Sequence, residues 1–489
     1  MSDSSQADTP QDSAGPDDIR RNIAAVAAAT DTPAPGDGSR LPVVNLSQPI
    51  SSIARTVGMI LHAAPMFRFG EGLSTVDETG EIAPMNPERF TSWVEDHLAF
   101  TRPAQDAPRV ESIGKDMAGK ILAADQFRRQ LRELKAVSRV RVPVWKGEGE
   151  ARTIELAPPG FDTESGLFTV DGVPFADDLA DTEGFGFLME CLSEFPFESE
   201  GQGKVVLRRS YAAHVAAMLG IFCHALFPEG TARPFIVYNA NQPGSGKSLL
   251  MRMAVAPVHG LAPESGKSDT EAEFEKTLDA AALARLPFLL LDDCKSIHSQ
   301  ALNRFITSPV HPCRPVHSPR QAMAAKVTQV FATGNGLTVS EDLDRRALVI
   351  DLFEPGEARG RSFTREITPA WLSQPETRSR FLASLWALVR RWRDHGMPRL
   401  AEHRRGSFEE WSALIGGIVT DCKLCNPFAP REAATGGDES GRALMLVVGL
   451  VVGESATETP PVLTTSDVLD RAHSLRQKQL PVGTSTDAQ

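Results

Sequence analysis

Apolar and polar positions alternate in several distinct modes along the chain, and the changes of mode mark its organisation. Residues 1–40 are rich in Ser, Asp, Pro, Gly and Ala, with a helical pattern only at 19–29. Such a segment buries too little apolar surface to offset its ordering entropy, so a disordered acidic tail is expected. From 41 to 207 helical and strand periods mix, with 90–98 and 117–134 reading as helices and 137–144 and 152–156 as strands. Turn clusters at 158–162 and 163–166 punctuate them. That mixture predicts an α+β N-terminal domain.

Beyond 208 the pattern simplifies. An apolar helix at 212–227 precedes four continuously apolar runs: Pro-Phe-Ile-Val-Tyr at 234–238, Pro-Phe-Leu-Leu-Leu at 287–291, Val-Thr-Gln-Val-Phe-Ala at 327–332 and Ala-Leu-Val-Ile at 347–350. Short runs without alternation, separated by helical stretches, predict strands buried on both faces of a parallel sheet, hence an α/β domain over 208–354. After 354 the chain turns helical, with Trp386, Trp392 and Trp411 at core-anchor positions and a further helix at 465–477 capped by Ser466. A mainly helical C-terminal domain over 355–480 and a polar tail at 481–489 follow. No internal repeat is visible.

The length of 489 residues suits about three domains at roughly 150 residues each. The longest late apolar run, 443–452, is too short to span a bilayer. The N-terminus lacks the basic and apolar regions of a signal peptide, so a cytoplasmic location with no membrane contact is expected. Six cysteines in so long a chain form no disulfide framework, and the lone Cys422/Cys425 pair has no partner pair at zinc-finger spacing. The net charge of -12 disfavours indiscriminate nucleic-acid binding but leaves room for a local basic channel. Between Arg359 and Arg405 eleven arginines face only Glu366, Glu376, Asp394 and Glu402. A solvated helix face reads equally well from that stretch.

The chemistry centres on Asn-Ala-Asn-Gln-Pro-Gly-Ser-Gly-Lys-Ser at 239–248, between the first apolar run and a helix from Leu249. Strand, glycine-rich loop and helix in that order make a phosphate cradle, in which backbone N–H groups and the helix N-terminus receive the phosphates of a nucleoside triphosphate. Lys247 would reach the β- and γ-phosphates and Ser248 would sit on Mg²⁺, with Asn241, Pro243, Gly244, Ser245, Gly246 and Leu249 completing the loop. Asn241 stands where the first glycine of the pattern belongs, and asparagine's tolerance of left-handed backbone angles offers an explanation. A second Gly-Lys-Ser, at 266–268, lacks a preceding apolar strand and is rejected as a site. The run ending in Asp292 and Asp293 reads as a Walker B element: Asp292 holds the Mg²⁺ shell and Asp293 polarises water. Asn335 ends the next run as a sensor amide, and Arg345 or Arg346 is placed to reach the γ-phosphate of an adjacent subunit.

In this order, Pro-Gly-Ser-Gly-Lys-Ser, Leu-Leu-Leu-Asp-Asp, Phe-Ala-Thr-Gly-Asn-Gly and Asp-Leu-Asp-Arg-Arg, the chain resembles the ATPase of phage and plasmid primase-helicase proteins, relatives of the superfamily three helicases within the AAA+ class. The resemblance extends to Pro-Gly-Phe-Asp at 159–162 and to 407–417, covering about 130–420, but lacks an acidic-triad or zinc-bearing primase half. It implies an α/β P-loop fold, ATP and Mg²⁺ as cofactors, a hexameric ring, and single-stranded DNA and replication proteins as partners. It also implies a hairpin over 309–326 that grips the nucleic-acid backbone, here carrying His311, Arg314, His317, Arg320 and Lys326. Two rivals stand beside a DNA motor: an AAA+ switch or loader that assembles partners without unwinding, and a P-loop kinase of a small molecule.

Overall fold

The structure, a computed structural model, describes residues 41–430 except 71, 106, 199–207, 262–264, 267–269, 314–321, 326, 355–363 and 403–405. The expected tails and the expected helix at 465–477 lie outside the described residues. The N-terminal part has its own apolar cluster, from Val44 to Leu131. There the helix Ile50–Ile60 buries Ile53, Ala54 and Val57. Beside it stands an antiparallel sheet of Met66–Phe69, Gly72–Val76 and Ile82–Pro84. The helix expected over 117–134 is broken: Lys115–Ala123 stops at Ala124, whose ψ of 127° is extended, and Asp125–Arg128 starts afresh. Arg128 Nε donates to the Leu122 carbonyl at 3.2 Å, satisfying one acceptor freed by the break.

A second sheet carries the motifs. Its strands are β1 (Phe235–Ala240), β2 (Ser265–Gly266), β3 (Phe288–Asp292), β4 (Gln329–Asn335) and β5 (Ala347–Leu352). They lie in the order β2-β3-β4-β1-β5, and all four pairings are parallel. Every link between neighbours is therefore a crossover, and helices cover both faces. Ile236, Tyr238, Phe331, Leu348 and Ile350 face one apolar cluster, while Val237, Leu289, Val330, Ala347 and Val349 face the other. This is the period of two expected of strands whose runs are apolar because both sides are buried.

Helices α1 (Asp181–Leu192), α2 (Arg209–Phe222), α3 (Lys247–His259), α4 (Glu271–Leu283), α5 (Gln300–Thr307), α6 (Pro375–Asp394) and α7 (Glu409–Asp421) surround this sheet. One apolar cluster runs from Val140 to Phe428 and joins α1, α2, α3, α6 and α7 to the sheet, so residues on both sides of position 207 share a core. Trp386, Trp392 and Trp411 are all buried in it. Arg378 of α6 binds the end of α3, with Nε on the carbonyls of Ala256 at 3.1 Å and Pro257 at 3.2 Å and Nη2 on that of Val258 at 3.1 Å. A cation on terminal carbonyls satisfies groups the helix leaves unpaired and complements its dipole. No helix among the described residues is long and apolar enough to cross a membrane.

Candidate functional site

β1 ends at Ala240, and the chain loops through 241–246 before α3 begins at Lys247. Gly244 and Gly246 have φ of 83° and 92°, the left-handed region where a side chain is strained, which explains the glycine of the pattern at each. Gly246 is the residue before the helix, and no side chain caps the first turn. The N–H groups that open α3 are therefore left for an anion. Pro243 and Gly244 form the exposed crown, Ser245 is buried, and Leu249 packs on the core behind the loop.

Asn241 corrects the sequence reading. It is not among the residues with positive φ. Its amide instead clasps the chain leaving β5: Nδ2 donates to the Glu354 carbonyl at 2.8 Å and Oδ1 accepts the Glu354 N–H at 3.0 Å. Gln242 Nε2 adds a bond to the same carbonyl at 2.9 Å. Asparagine is used here for its two-sided amide and not for backbone freedom.

The strand ends bring the expected residues together. Ser248 Oγ donates to Asp292 Oδ1 at 2.7 Å, and Thr333 Oγ1 donates to the same oxygen. Burial acts to raise the Asp292 pKa, but the Thr333 and Ser248 hydroxyls, the Asp293 backbone and the Lys247 charge outweigh it. The carboxyl is therefore held below its usual range. It stays ionised at neutral pH, as a metal ligand must. Asp293 is exposed, with φ of 52°. Asn335, at the end of β4, is paired in register with Ala240 of β1.

Three polar groups in this cleft lack protein partners. Ser245 Oγ and Asn335 Oδ1 are buried without a hydrogen bond, and Lys247, only 8% exposed, makes no ion pair or side-chain hydrogen bond among the described residues. The lysine acts on the Asp292 carboxylate without a direct ion pair, which leaves its ammonium open to an anionic ligand. Together with the uncapped α3 they fit the phosphates of a nucleotide, and the Ser248 hydroxyl beside the Asp292 carboxylate fits a hard cation such as Mg²⁺. Buried support lies behind the cleft. Arg209 of α2 pairs with Asp351 at 3.2 Å, Asp351 accepts from Asn239 Nδ2 at 3.3 Å, and Asn239 Oδ1 accepts the Leu337 N–H at 3.0 Å. This chain of bonds fixes the exits of β1, β4 and β5 relative to one another.

The two arginines part company. Arg345 is 67% exposed and pairs with the nearby Asp342. Arg346 is half-buried and donates to Asn303 of α5 and to the Asp342 carbonyl, a role in holding the fold. The hairpin is present as Val310–Cys313 paired with Ala322–Ala325, while Arg314, His317, Arg320 and Lys326 lie outside the described residues. His311 does not reach outward: it is buried, 2.7 Å from Asp279 and packed edge-on against Phe305. In the arginine-rich stretch Arg359, Arg361, Arg404 and Arg405 lie outside the described residues, and several of the others serve packing. Arg365 pairs with Glu190, Arg390 donates to the carbonyls of Asp177 and Leu179, and Arg391 bonds Asp181 at 2.6 Å, tying α6 to α1 and the segment before it. Cys422 is buried, which pushes its thiol up to about 12. Among the described residues no group of three or more His, Cys, Asp or Glu could hold a metal. Cavities of about 510 Å³ beside Arg68 and Arg129 and about 280 Å³ beside Trp386 lie away from the cleft.

No protein-family model matches the chain, and no curated protein matches it. Among solved structures it is similar to the apo C-terminal region of NrS-1, at 15% identity and a TM-score of 0.32 over 57% of this chain and 61% of that chain. The overlap thus spans less than two thirds of that region, and at this TM-score the function is left to the site itself.

Proposed function

We propose that residues 208–354 form a P-loop ATPase core of the AAA+ kind, and that the chain is a ring-forming, ATP-driven motor on DNA. The observation that carries the reading is the cleft at the carboxyl ends of β1, β3 and β4. There an unpaired buried lysine, a serine bonded to an acid, and an orphaned asparagine amide converge. Ligands of parallel α/β sheets bind at those strand ends. The strand order, with the loop-bearing β1 in the interior, supports the same fold assignment.

In this reading the loop N–H groups and Lys247 hold the triphosphate, and Ser248 and Asp292 hold Mg²⁺. The bound cation supplies charge neutralisation for phosphoryl transfer. Asp293 accepts a proton from the attacking water, Asn335 fixes that water's position, and Arg345 of a neighbouring subunit stabilises the developing charge. The hexameric ring and the DNA partner rest on the motif resemblance alone.

The two acids separate by substitution. Asp293→Asn keeps nucleotide binding while hydrolysis slows by about 10²-fold or more, as for loss of a general base. Asp292→Asn weakens Mg²⁺-dependent binding as well; equal binding loss in both variants would reverse these roles. The test of function is the ATPase rate with and without single-stranded DNA, alongside strand displacement. Stimulation with displacement supports the motor. An unchanged rate without displacement turns the assignment to a switch that assembles partners.

A further inference from the structure

Thr333, third from the end of β4, is wholly buried, yet its polar atoms touch both acids. Its hydroxyl donates to Asp292 Oδ1 and accepts the Asp293 N–H at 3.0 Å, and its carbonyl accepts the Cys294 N–H at 2.8 Å. The following glycine explains how close the two chains run. A Cβ on Gly334 would lie 2.2 Å from the Cys294 carbonyl oxygen, so any side chain there would force the exit of β3 away from β4. Between these contacts Asp293 adopts φ of 52°, which non-glycine residues hold only when the surroundings impose it.

We propose that Thr333 is the positioning residue of the site, its one hydroxyl orienting the Asp292 carboxylate and anchoring the Asp293 backbone in its left-handed conformation. The inference rests on the ATPase reading and deepens it. A threonine in a buried strand has a plain alternative role, filling space. The two roles differ in the atom that matters. Space-filling needs the methyl group and volume, which valine keeps; positioning needs the hydroxyl, which serine keeps. Removing the hydroxyl deprives the Asp293 N–H of its acceptor and leaves the Asp292 carboxylate one donor short.

The test compares Thr333→Val, Thr333→Ser, Thr333→Ala and Lys247→Ala by ATPase kcat and KM, by the Kd of a fluorescent non-hydrolysable ATP analogue with Mg²⁺, and by thermal midpoint. Thr333→Val is expected to lower kcat by about 10- to 100-fold, the range for loss of a group that orients a ligand. Analogue Kd should shift less than about threefold, because the phosphate cradle is untouched, and Thr333→Ser should return kcat to within about threefold of the parent. A Thr333→Val protein with parental kcat overturns the proposal, as does a serine variant as slow as valine. A loss of analogue affinity as large as the loss of kcat also overturns it, since Thr333 would then be building the binding site. Should valine prevent folding, alanine against serine decides: equal kcat in that pair sinks the idea. Lys247→Ala separates the failures. If it stays active, the ATPase reading falls and the proposal with it; if it is dead beside a fast Thr333→Val, the proposal falls alone.

Discussion

Lys247→Ala loses nucleotide binding and turnover together while keeping the fold. Lys247 opens α3 as a buried residue with no ion pair or side-chain hydrogen bond among the described residues, so its removal breaks no internal bond. The burial of the lysine is offset only by its attraction to the Asp292 carboxylate, so the alanine variant is expected to melt close to the parent. Its functional loss should nevertheless be large, because in the proposed reading the lysine is the cation that meets the phosphates. Hydrolysis should fall to background, and analogue affinity by about 10²-fold, or about 2.7 kcal/mol. Parallel calorimetric melting and analogue titration check both halves. Near-normal turnover would end the P-loop assignment, and loss of the melting transition would show that the lysine holds the fold.

The second large effect belongs to Arg345. Its exposure, at the surface beside its ion-pair partner Asp342, and its place after β4 suit a contact made across a subunit boundary, whereas Arg346 is half-buried on Asn303. Arg345→Ala should bind ATP normally and hydrolyse it about 10³-fold more slowly, since the guanidinium acts on charge that develops in the transition state. Mixing then tests the ring. A Lys247→Ala subunit still offers Arg345, and an Arg345→Ala subunit still offers an intact loop, so mixed rings contain some complete sites. ATPase rate against mixing ratio should rise from zero to an interior maximum. A flat zero in a preparation shown to exchange subunits would place the arginine's action within its own subunit. Arg346→Ala is expected to lower the melting temperature and to give no such rescue.

Four of the five sheet strands were legible as apolar runs because a strand buried on both faces needs no alternation. β2 was not: two residues, Ser265 and Gly266, pair with Leu291 and Asp292 at the sheet edge, running into the Gly-Lys-Ser dismissed for want of an apolar run. An edge strand that short leaves no hydrophobic signal. The order of the strands was equally hidden, since crossovers leave no local mark. At the site, the motif spacing put Ser248 near Asp292, and the hydrogen bond between them shows that the start of α3 and the end of β3 do meet. Asn241 and His311 were misread because their partners, Glu354 and Asp279, are 113 and 32 positions away. Thr333 was in view within Thr-Gly-Asn, but only the amide was given a role; the signal for the hydroxyl is the register of β4 against β3.

The grip of Arg378 on the last carbonyls of α3 turns that helix into a lever. Its 13 residues make a rod of about 20 Å. The glycine-rich loop 241–246 is at one end, and α6 is hooked to the other through a guanidinium on three successive carbonyls. A rod held at both ends does not absorb an axial push. A displacement of the loop along α3 would therefore bear directly on α6, which packs against that helix.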